Sequence, residues 1–151
     1  MPPTIAAFWA KLNKNEKMVM YGAGIVVIAF LVGVAASAGI GSASTDLIAA
    51  IAVAVIYWLK YAPNKINWPA PVQTIVLVIT GIAAIFALLA ALAALSFLFL
   101  FGLGAIAVLI NAVGCAVMAW FAYKEYQAMP KATTPMAPPP APPAPPAPPA
   151  A

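Results

Sequence analysis

The chain has 151 residues, of which 66% are hydrophobic and 7% are charged, and it carries a formal net charge of +4. Its mean hydropathy of +1.04 excludes an ordinary soluble domain and indicates an integral membrane protein, whose first partner is the lipid bilayer. All of the basic residues are lysines beside apolar runs, where they set membrane orientation, so nucleic-acid binding is not expected. The single Cys115 excludes a disulfide framework within the chain.

Residues 1–17 form a leader that places four apolar side chains at helical spacing, those of Ile5, Phe8, Trp9 and Leu12. This pattern predicts a short helix in the membrane interface or, equally, a partly ordered leader to the first span. The first span is predicted over residues 18–39. Within it, Ala36-Ser37-Ala38 has the form of a signal-peptide cleavage site. The apolar run is too long for a signal peptide, so an uncleaved span is favoured.

A membrane domain is predicted over residues 18–126. Its second span, over residues 45–61, is short and crosses a bilayer only if Asp46 lies at one interface and Lys60 snorkels at the other. A loop over residues 62–71 follows, because three prolines prevent a continuous helix there.

The run from Ile66 to Tyr123 contains no charged residue. It is long enough to cross the membrane twice, since one crossing needs about 20 apolar residues. We therefore predict a hairpin with spans over residues 72–93 and 97–123 and a turn near residues 94–96. The whole sequence thus predicts an all-α fold, a four-transmembrane-helix bundle made of two hairpins.

Residues 127–151 form a tail in which Pro and Ala dominate and Ala-Pro-Pro is repeated. This composition predicts a disordered segment with polyproline II character. Proline rods can bind aromatic-lined grooves, so a cytoplasmic partner of the tail is one hypothesis. No Lys or Arg follows Lys131 to orient such a ligand, and an inert spacer is therefore the favoured hypothesis.

The positions of the lysines and tryptophans predict the orientation. With four spans, the leader, the 62–71 loop and the tail share one side of the membrane, and every lysine falls on that side or at its interface. The positive-inside rule makes this side cytoplasmic, with both termini inside a bacterial cytoplasmic membrane. The interfacial anchors expected on the same side are Trp9, Trp58, Trp68 and Trp120.

Three segments carry a resemblance to a family. They are Leu12-Asn13-Lys14-Asn15-Glu16-Lys17 running into Tyr21-Gly22-Ala23-Gly24, the loop residues Trp68-Pro69, and Trp120-Phe121-Ala122-Tyr123-Lys124-Glu125 at the end of the fourth span. Over residues 9–126 the chain resembles a group of small, uncharacterised four-helix membrane proteins of bacteria. Val34-Ala35-Ala36-Ser37 departs from the aromatic or Pro-Trp signature that ends the first span in that group. The resemblance implies the four-helix architecture and implies no activity.

Carboxylates are scarce, and none is predicted to act in catalysis. Glu16 and Glu125 are expected to form solvated ion pairs with the adjacent Lys17 and Lys124. Asp46 is expected to cap the first turn of a helix. Catalysis needs a proton acceptor or an activated nucleophile within reach of one, so an enzyme is not expected. No cofactor is expected either, and a chain without His lacks a common metal ligand.

Small and polar residues within the spans are candidates for helix packing. The predicted packing residues are Gly33, Ser37, Gly41 and Asn111. Further stripes at four-residue spacing comprise Ala83, Ala87 and Ala91, and Ala107, Asn111, Cys115 and Ala119. Such faces suit packing within one bundle, with a homo-oligomer as the second interpretation.

Two functions remain open at this point. The favoured one is a structural or interaction protein that assembles through its small-residue helix faces. The alternative is a small oligomeric transporter, channel or holin-like pore. It ranks second because the first, third and fourth predicted spans contain no ionisable residue of the kind that marks an ion path.

Overall fold

The computed structural model describes residues 5–36, 41–63, 66–96 and 102–130. Every regular element in these ranges is an α-helix, which confirms the all-α class. The helices are α1 (Ile5–Lys11), α2 (Lys14–Ala35), α3 (Gly41–Lys60), α4 (Val72–Ser96) and α5 (Leu103–Gln127). Ser37 and the tail beyond residue 130 lie outside the described residues.

Three of the helices, α2, α4 and α5, are long and apolar enough to cross a membrane. They correspond to the first, third and fourth predicted spans, with shifted ends. Helix α3 corresponds to the second span, but it begins at Gly41 and therefore reaches 20 residues. A helix of that length extends about 30 Å, which equals the thickness of the hydrocarbon core.

The four long helices pack around a ring in chain order. Helix α2 packs on α3, α3 on α4 and α4 on α5, and the most extensive contact is the one that closes the ring between α5 and α2. Helices α3 and α5 therefore lie on a diagonal, where they run in the same direction and approach at few positions. We call the end where α2 begins and α3 and α5 finish the charged end, and the opposite end the far end.

Local sequence explains where α2 begins. Asn13 is the N-cap residue, and its Oδ1 accepts a hydrogen bond from the backbone N–H of Glu16 at 2.8 Å. In return, Oε2 of Glu16 accepts from the backbone N–H of Asn13 at 2.7 Å. This capping box satisfies two N–H groups that a helix start leaves unpaired. It also fixes the Glu16 carboxylate at the charged end.

The predicted turn near residues 94–96 is wrong. Helix α4 continues through Ser96, because Ala and Leu favour helix and the Ser96 hydroxyl donates back to the carbonyl of Leu92 at 3.5 Å. The next described helix begins at Leu103. Directly before it, Gly102 has a φ of 47°, a conformation that residues with a Cβ rarely adopt.

The contact between α2 and α5 depends on two glycines. A Cβ added at Gly22 would lie 2.7 Å from Cγ of Met118 and 2.9 Å from the carbonyl oxygen of Gly114. A Cβ added at Gly114 would lie 2.9 Å from Cγ2 of Val26 and 3.0 Å from the carbonyl oxygen of Gly22. Any side chain at either position would force the two backbones apart. Close packing of this kind is a main source of helix association in lipid, where the hydrophobic effect contributes little between helices.

Replacing Gly22 by Ala should therefore lower the free energy of unfolding by about 1–3 kcal/mol, the usual cost of an overpacked site. Gly24 is the matched control, because it lies on the same helix and an added Cβ there has no atom within 4 Å. Gly24→Ala should leave stability unchanged or raise it, since Ala favours helix. Unfolding of both variants in detergent micelles measures the difference. Equal losses would contradict the close contact.

Candidate functional site

The charged end holds a buried cluster of polar and ionisable side chains from three helical segments. We define the charged cluster as Glu16 of α2, Tyr57 and Lys60 of α3, Tyr61 directly after α3, and Glu125 of α5. Glu16 is fully buried and Glu125 is 5% exposed, whereas the side chain of Lys60 is 22% exposed. Carboxylates are rarely buried to this extent unless they are paired.

Lys60 is the partner that both carboxylates share. Its Nζ lies 2.5 Å from Oε1 of Glu16 and 3.4 Å from Oε1 of Glu125. The hydroxyl of Tyr61 donates to Oε2 of Glu16 at 2.7 Å, and the hydroxyl of Tyr57 donates to Oε2 of Glu125 at 2.9 Å. Each of the four carboxylate oxygens therefore accepts at least one hydrogen bond. These bonds offset the cost of removing the charges from water.

The charge of the cluster is carried by two carboxylates and one ammonium group. Within the part of the chain that the structure describes, Lys60 is the only cation in a salt bridge with either carboxylate. Its Nζ also lies 5.4 Å from the ring centroid of Tyr61 and 5.9 Å from that of Tyr57, within the range of cation–π attraction. A single side chain of α3 thus connects α2 with α5.

Helix α1 covers the aromatic side of the charged cluster. Phe8 is buried, and its ring centroid lies 5.0 Å from that of Trp58 and 6.5 Å from that of Tyr61. Trp9 packs edge-on against Tyr21 with a centroid separation of 5.4 Å. Of the two hypotheses for the leader, the helical one agrees with the structure over residues 5–11. Its position in a membrane interface stays a prediction.

The predicted solvated ion pairs are wrong. Glu16 and Glu125 pair with Lys60, and not with their sequence neighbours Lys17 and Lys124. Adjacent residues on a helix do not face each other. When each glutamate points into the bundle, the neighbouring lysine therefore points elsewhere.

A second buried polar pair lies toward the far end. Asp46 of α3 is 1% exposed and Asn111 of α5 is 3% exposed, and Nδ2 of Asn111 donates to Oδ2 of Asp46 at 2.5 Å. The predicted helix cap at Asp46 is wrong, because α3 begins at Gly41 and places Asp46 in its second turn. Oδ1 of Asn111 is buried and has no hydrogen-bond partner among the described residues. An unsatisfied acceptor of this kind costs about 1–3 kcal/mol.

The two polar layers share one register across the α3–α5 diagonal. Asp46 and Asn111 are 65 positions apart in the chain, and so are Lys60 and Glu125. Along each helix the two layers are separated by four turns, about 21 Å at 1.5 Å per residue. The buried residues of α3 and α5 between the layers include Ala50, Val53, Cys115, Met118 and Ala122. The diagonal therefore consists of two polar contacts separated by an apolar stretch.

A groove of about 540 Å³ opens between α3 and α4 beside the second layer. Its polar lining residues are Thr45 and Asp46. Its apolar lining residues are Ile48, Ala49, Ala52, Ile79, Ile82, Ala83 and Phe86. Ile48, Ile82 and Phe86 are each more than half exposed, so the groove is open along the side of the bundle.

The predicted packing residues do not mark the positions where the helices approach most closely. Gly33 is close to α5, where a Cβ added to it would lie 3.7 Å from Cβ of Ala107, an ordinary contact. Gly41 begins α3. A closer approach occurs at Gly22 and Gly114, which the predicted set does not contain. That set depended on strict four-residue spacing, which drifts around a helix of 3.6 residues per turn.

The four predicted anchors, Trp9, Trp58, Trp68 and Trp120, all belong to segments at the charged end. Trp9, Trp58 and Trp68 are partly buried against the core. Trp120 is 57% exposed, and Nζ of Lys124 lies 5.4 Å from its ring centroid. This placement agrees with a one-sided set of aromatic anchors, while contact with a membrane interface stays a prediction.

Sequence reasoning missed the charged cluster, although two signals point to it. Asn13 and Glu16 have the spacing of a capping box, which fixes the position of Glu16. On α3, Tyr57 and Lys60 are three residues apart and therefore share a helix face. What no local pattern shows is that these residues meet Glu125, which is far away in the chain.

Chemically, the charged cluster is a closed hydrogen-bonded network that joins helices. Among the described residues, no group of three His, Cys, Asp or Glu side chains is placed to hold a metal ion. No protein-family model, curated protein or solved structure matches this chain. The resemblance to four-helix bacterial membrane proteins therefore stays a prediction.

Replacing Lys60 by Met should destabilise the bundle by about 3–5 kcal/mol, because it leaves two buried carboxylates without a counter-charge. Lys124→Met is the control. It removes an exposed lysine whose ring contacts should contribute no more than about 1 kcal/mol.

The triple variant Lys60→Met, Glu16→Gln, Glu125→Gln should recover much of the loss, since uncharged amides are easier to bury. Unfolding in detergent micelles measures all three proteins. A Lys60→Met variant as stable as Lys124→Met would show that the charged cluster does not hold the helices together.

Proposed function

We propose that this chain is an integral membrane protein that crosses the bacterial cytoplasmic membrane four times, with both termini in the cytoplasm. Three helices have the length and apolarity for a crossing, and α3 is long enough for the fourth. The lysines support the orientation, because every lysine among the described residues lies at the charged end. Positive residues favour the cytoplasmic side of a membrane.

We infer a structural or interaction role for the bundle. The observation that carries this proposal is the closure of the charged cluster, in which every carboxylate oxygen accepts from a group of the same chain. A fully satisfied buried network of this kind makes the arrangement of helices rigid and specific. No carboxylate of the cluster is left to react with a substrate.

The outer faces of the helices support an assembly role. Helix α4 exposes a run of large apolar side chains, which lipid chains cover as readily as another helix does: Val78, Ile82, Ile85, Phe86, Leu88, Leu89, Leu92 and Leu95. Gly24 on α2 and Gly81 on α4 have open space where a side chain would be, so another helix could approach closely there. The partner would be a second copy of the chain or another membrane protein. For the proline-rich tail, a spacer stays the favoured hypothesis and a cytoplasmic partner stays the second one.

Cysteine labelling tests the orientation. Ile5 and Leu103 are 78% and 65% exposed, and they lie at the charged end and the far end. The native Cys115 is fully buried and provides an unlabelled background. In spheroplasts, a membrane-impermeant maleimide should label Leu103→Cys and not Ile5→Cys, and in inverted vesicles the pattern should be reversed. Labelling of Ile5→Cys in spheroplasts would contradict the proposed topology.

A small oligomeric transporter, channel or holin-like pore is the second candidate function. The Asp46–Asn111 pair favours it, because an ionisable residue buried within a span commonly marks an ion or substrate path. The apolar stretch of about 21 Å between the two polar layers counts against a path through one chain. A pore would therefore have to form between copies.

Flux through reconstituted liposomes separates the two candidates. If the chain is a structural or interaction protein, liposomes that contain it should lose protons, potassium and a small dye no faster than protein-free liposomes do. Asp46→Asn should behave in the same way as the unmodified chain. Saturable or size-limited flux that Asp46→Asn abolishes would replace the structural proposal by the transport one.

A further inference from the structure

We propose that Asp46 binds a proton in the folded bundle and donates it in a hydrogen bond to Oδ1 of Asn111, which makes the two side chains a neutral acid–amide pair. The ligand of this site is the proton, and neither candidate function above assigns it. Three observations carry the proposal: the burial of the pair, its surroundings without a counter-charge in the described part of the chain, and an acceptor that has no donor.

Burial makes a charged Asp46 unfavourable. The residue is 1% exposed and Asn111 is 3% exposed, so neither side chain has its normal contact with water. Nδ2 of Asn111 donates to Oδ2 of Asp46, and this neutral amide supplies a hydrogen bond but no charge. A carboxyl group buried in this way commonly takes up a proton, because its charged form has lost its hydration.

The sequence offers no cation close to Asp46. Between Lys17 and Lys60 it is the only charged residue, and the run from Ile66 to Tyr123 contains none. Lys60 lies four turns along α3, about 21 Å away, and already pairs with two other carboxylates. Among the described residues, Asp46 forms no salt bridge.

The groups that face Asp46 from the neighbouring helices are uncharged. On α5 they are Asn111 and, one turn further, the thiol of Cys115. Helix α2 has no charged residue after Lys17. The residues of α4 that share a groove with Asp46 are Ile79, Ile82, Ala83 and Phe86. The dipole of α3 favours a carboxylate at its N-terminus, but this effect falls off within the first turn, and Asp46 lies in the second.

The unpartnered acceptor indicates where the proton lies. Oδ1 of Asn111 is buried without a donor among the described residues, although the amide nitrogen beside it bonds Asp46. A protonated carboxyl group has one O–H donor and one C=O acceptor, which match the acceptor and the N–H donor of a primary amide. Both groups are planar, so the second hydrogen bond can form beside the first. A proton on Asp46 thus removes the unfavourable charge and satisfies the acceptor together.

The charged cluster shows the other way to bury a carboxyl group in this bundle. There each carboxylate oxygen of Glu16 and Glu125 accepts a hydrogen bond, and Lys60 supplies the counter-charge. In the Asp46–Asn111 pair a single proton takes the place of both the missing donor and the counter-charge.

Infrared spectroscopy of the full chain tests the proton directly. The sequence has only 3 Asp and Glu residues, so the spectrum of the unmodified chain minus that of Asp46→Asn isolates one carboxyl group. The protein is measured at neutral pH in dodecyl maltoside micelles, because this detergent has no carbonyl group. The difference should contain the C=O band of a carboxylic acid, which shifts in D₂O. A carboxylate band in its place would overturn the proposal.

Asn111→Leu tests the partner of the acid. A hydrogen bond weakens the C=O bond of a carboxylic acid, so loss of the amide should move the acid band to higher frequency. Val113→Leu is the control, because Val113 lies on the same helix and is 58% exposed, and it should leave the band in place. An acid band that does not move in Asn111→Leu would overturn the pairing.

A further variant keeps the test independent of the folding of Asp46→Asn. The triple variant Lys60→Met, Glu16→Gln, Glu125→Gln retains Asp46 as its only side-chain carboxyl group. Its spectrum at neutral pH should still contain the carboxylic acid band. A triple variant without this band would show that Asp46 is ionised and would overturn the proton site.

Discussion

The interaction on which the rest of this structure depends is the pairing of one lysine with two buried carboxylates. Lys60 joins Glu16 and Glu125, and in doing so it brings three of the four long helices to one point. In lipid the helices gain little from the hydrophobic effect, so a specific polar contact has a large influence on which faces meet. The tyrosine hydroxyls and the capping box complete the hydrogen bonds, so that no carboxylate oxygen in the charged cluster lacks a donor.

The charged cluster acts together with two other features of the bundle. At the α2–α5 contact, Gly22 and Gly114 let the backbones touch, which makes this the most extensive helix pair. Across the α3–α5 diagonal, Asp46 and Asn111 repeat the 65-position register of Lys60 and Glu125 about four turns away. Two polar contacts at that separation fix both the axial position and the rotation of α3 relative to α5. A slip of one residue would separate both pairs at once.

The helical class and the approximate positions of the long helices could be predicted from the sequence, because long apolar runs bounded by polar and proline-containing segments indicate them. The roles of the carboxylates could not. Glu16 and Glu125 each stand next to a lysine in the chain. The local sequence therefore allows a solvated ion pair with that neighbour as readily as the buried pairing with Lys60. Their burial depends on Lys60, which is distant in sequence, so only the tertiary packing shows it. The burial of Asp46 is not predicted for a different reason: the predicted span begins at residue 45, four residues after the observed start of α3, and this places Asp46 in the first turn.

The same argument explains why the small-residue stripes were only partly informative. In an alanine-rich chain many positions are small, and strict four-residue spacing selects Ala119, whereas the buried residue is Met118. The stripe of α5 that faces the interior of the bundle alternates steps of four and three residues, through Asn111, Cys115, Met118, Ala122 and Glu125. That stripe ends at the carboxylate of Glu125. Its two polar members, Asn111 and Glu125, belong to the two polar layers of the bundle.

The most direct test of this account is the register of α3 against α5, and the native thiol provides it. In the 65-position register, Ala50 lies opposite Cys115, and both are buried between the two polar layers. The account predicts that mercury(II) crosslinks Ala50→Cys to Cys115 within one chain in membranes, whereas Ala54→Cys, one turn closer to the charged end, does not react. Crosslinking at position 54 and not at position 50 would contradict the register and, with it, the paired polar layers.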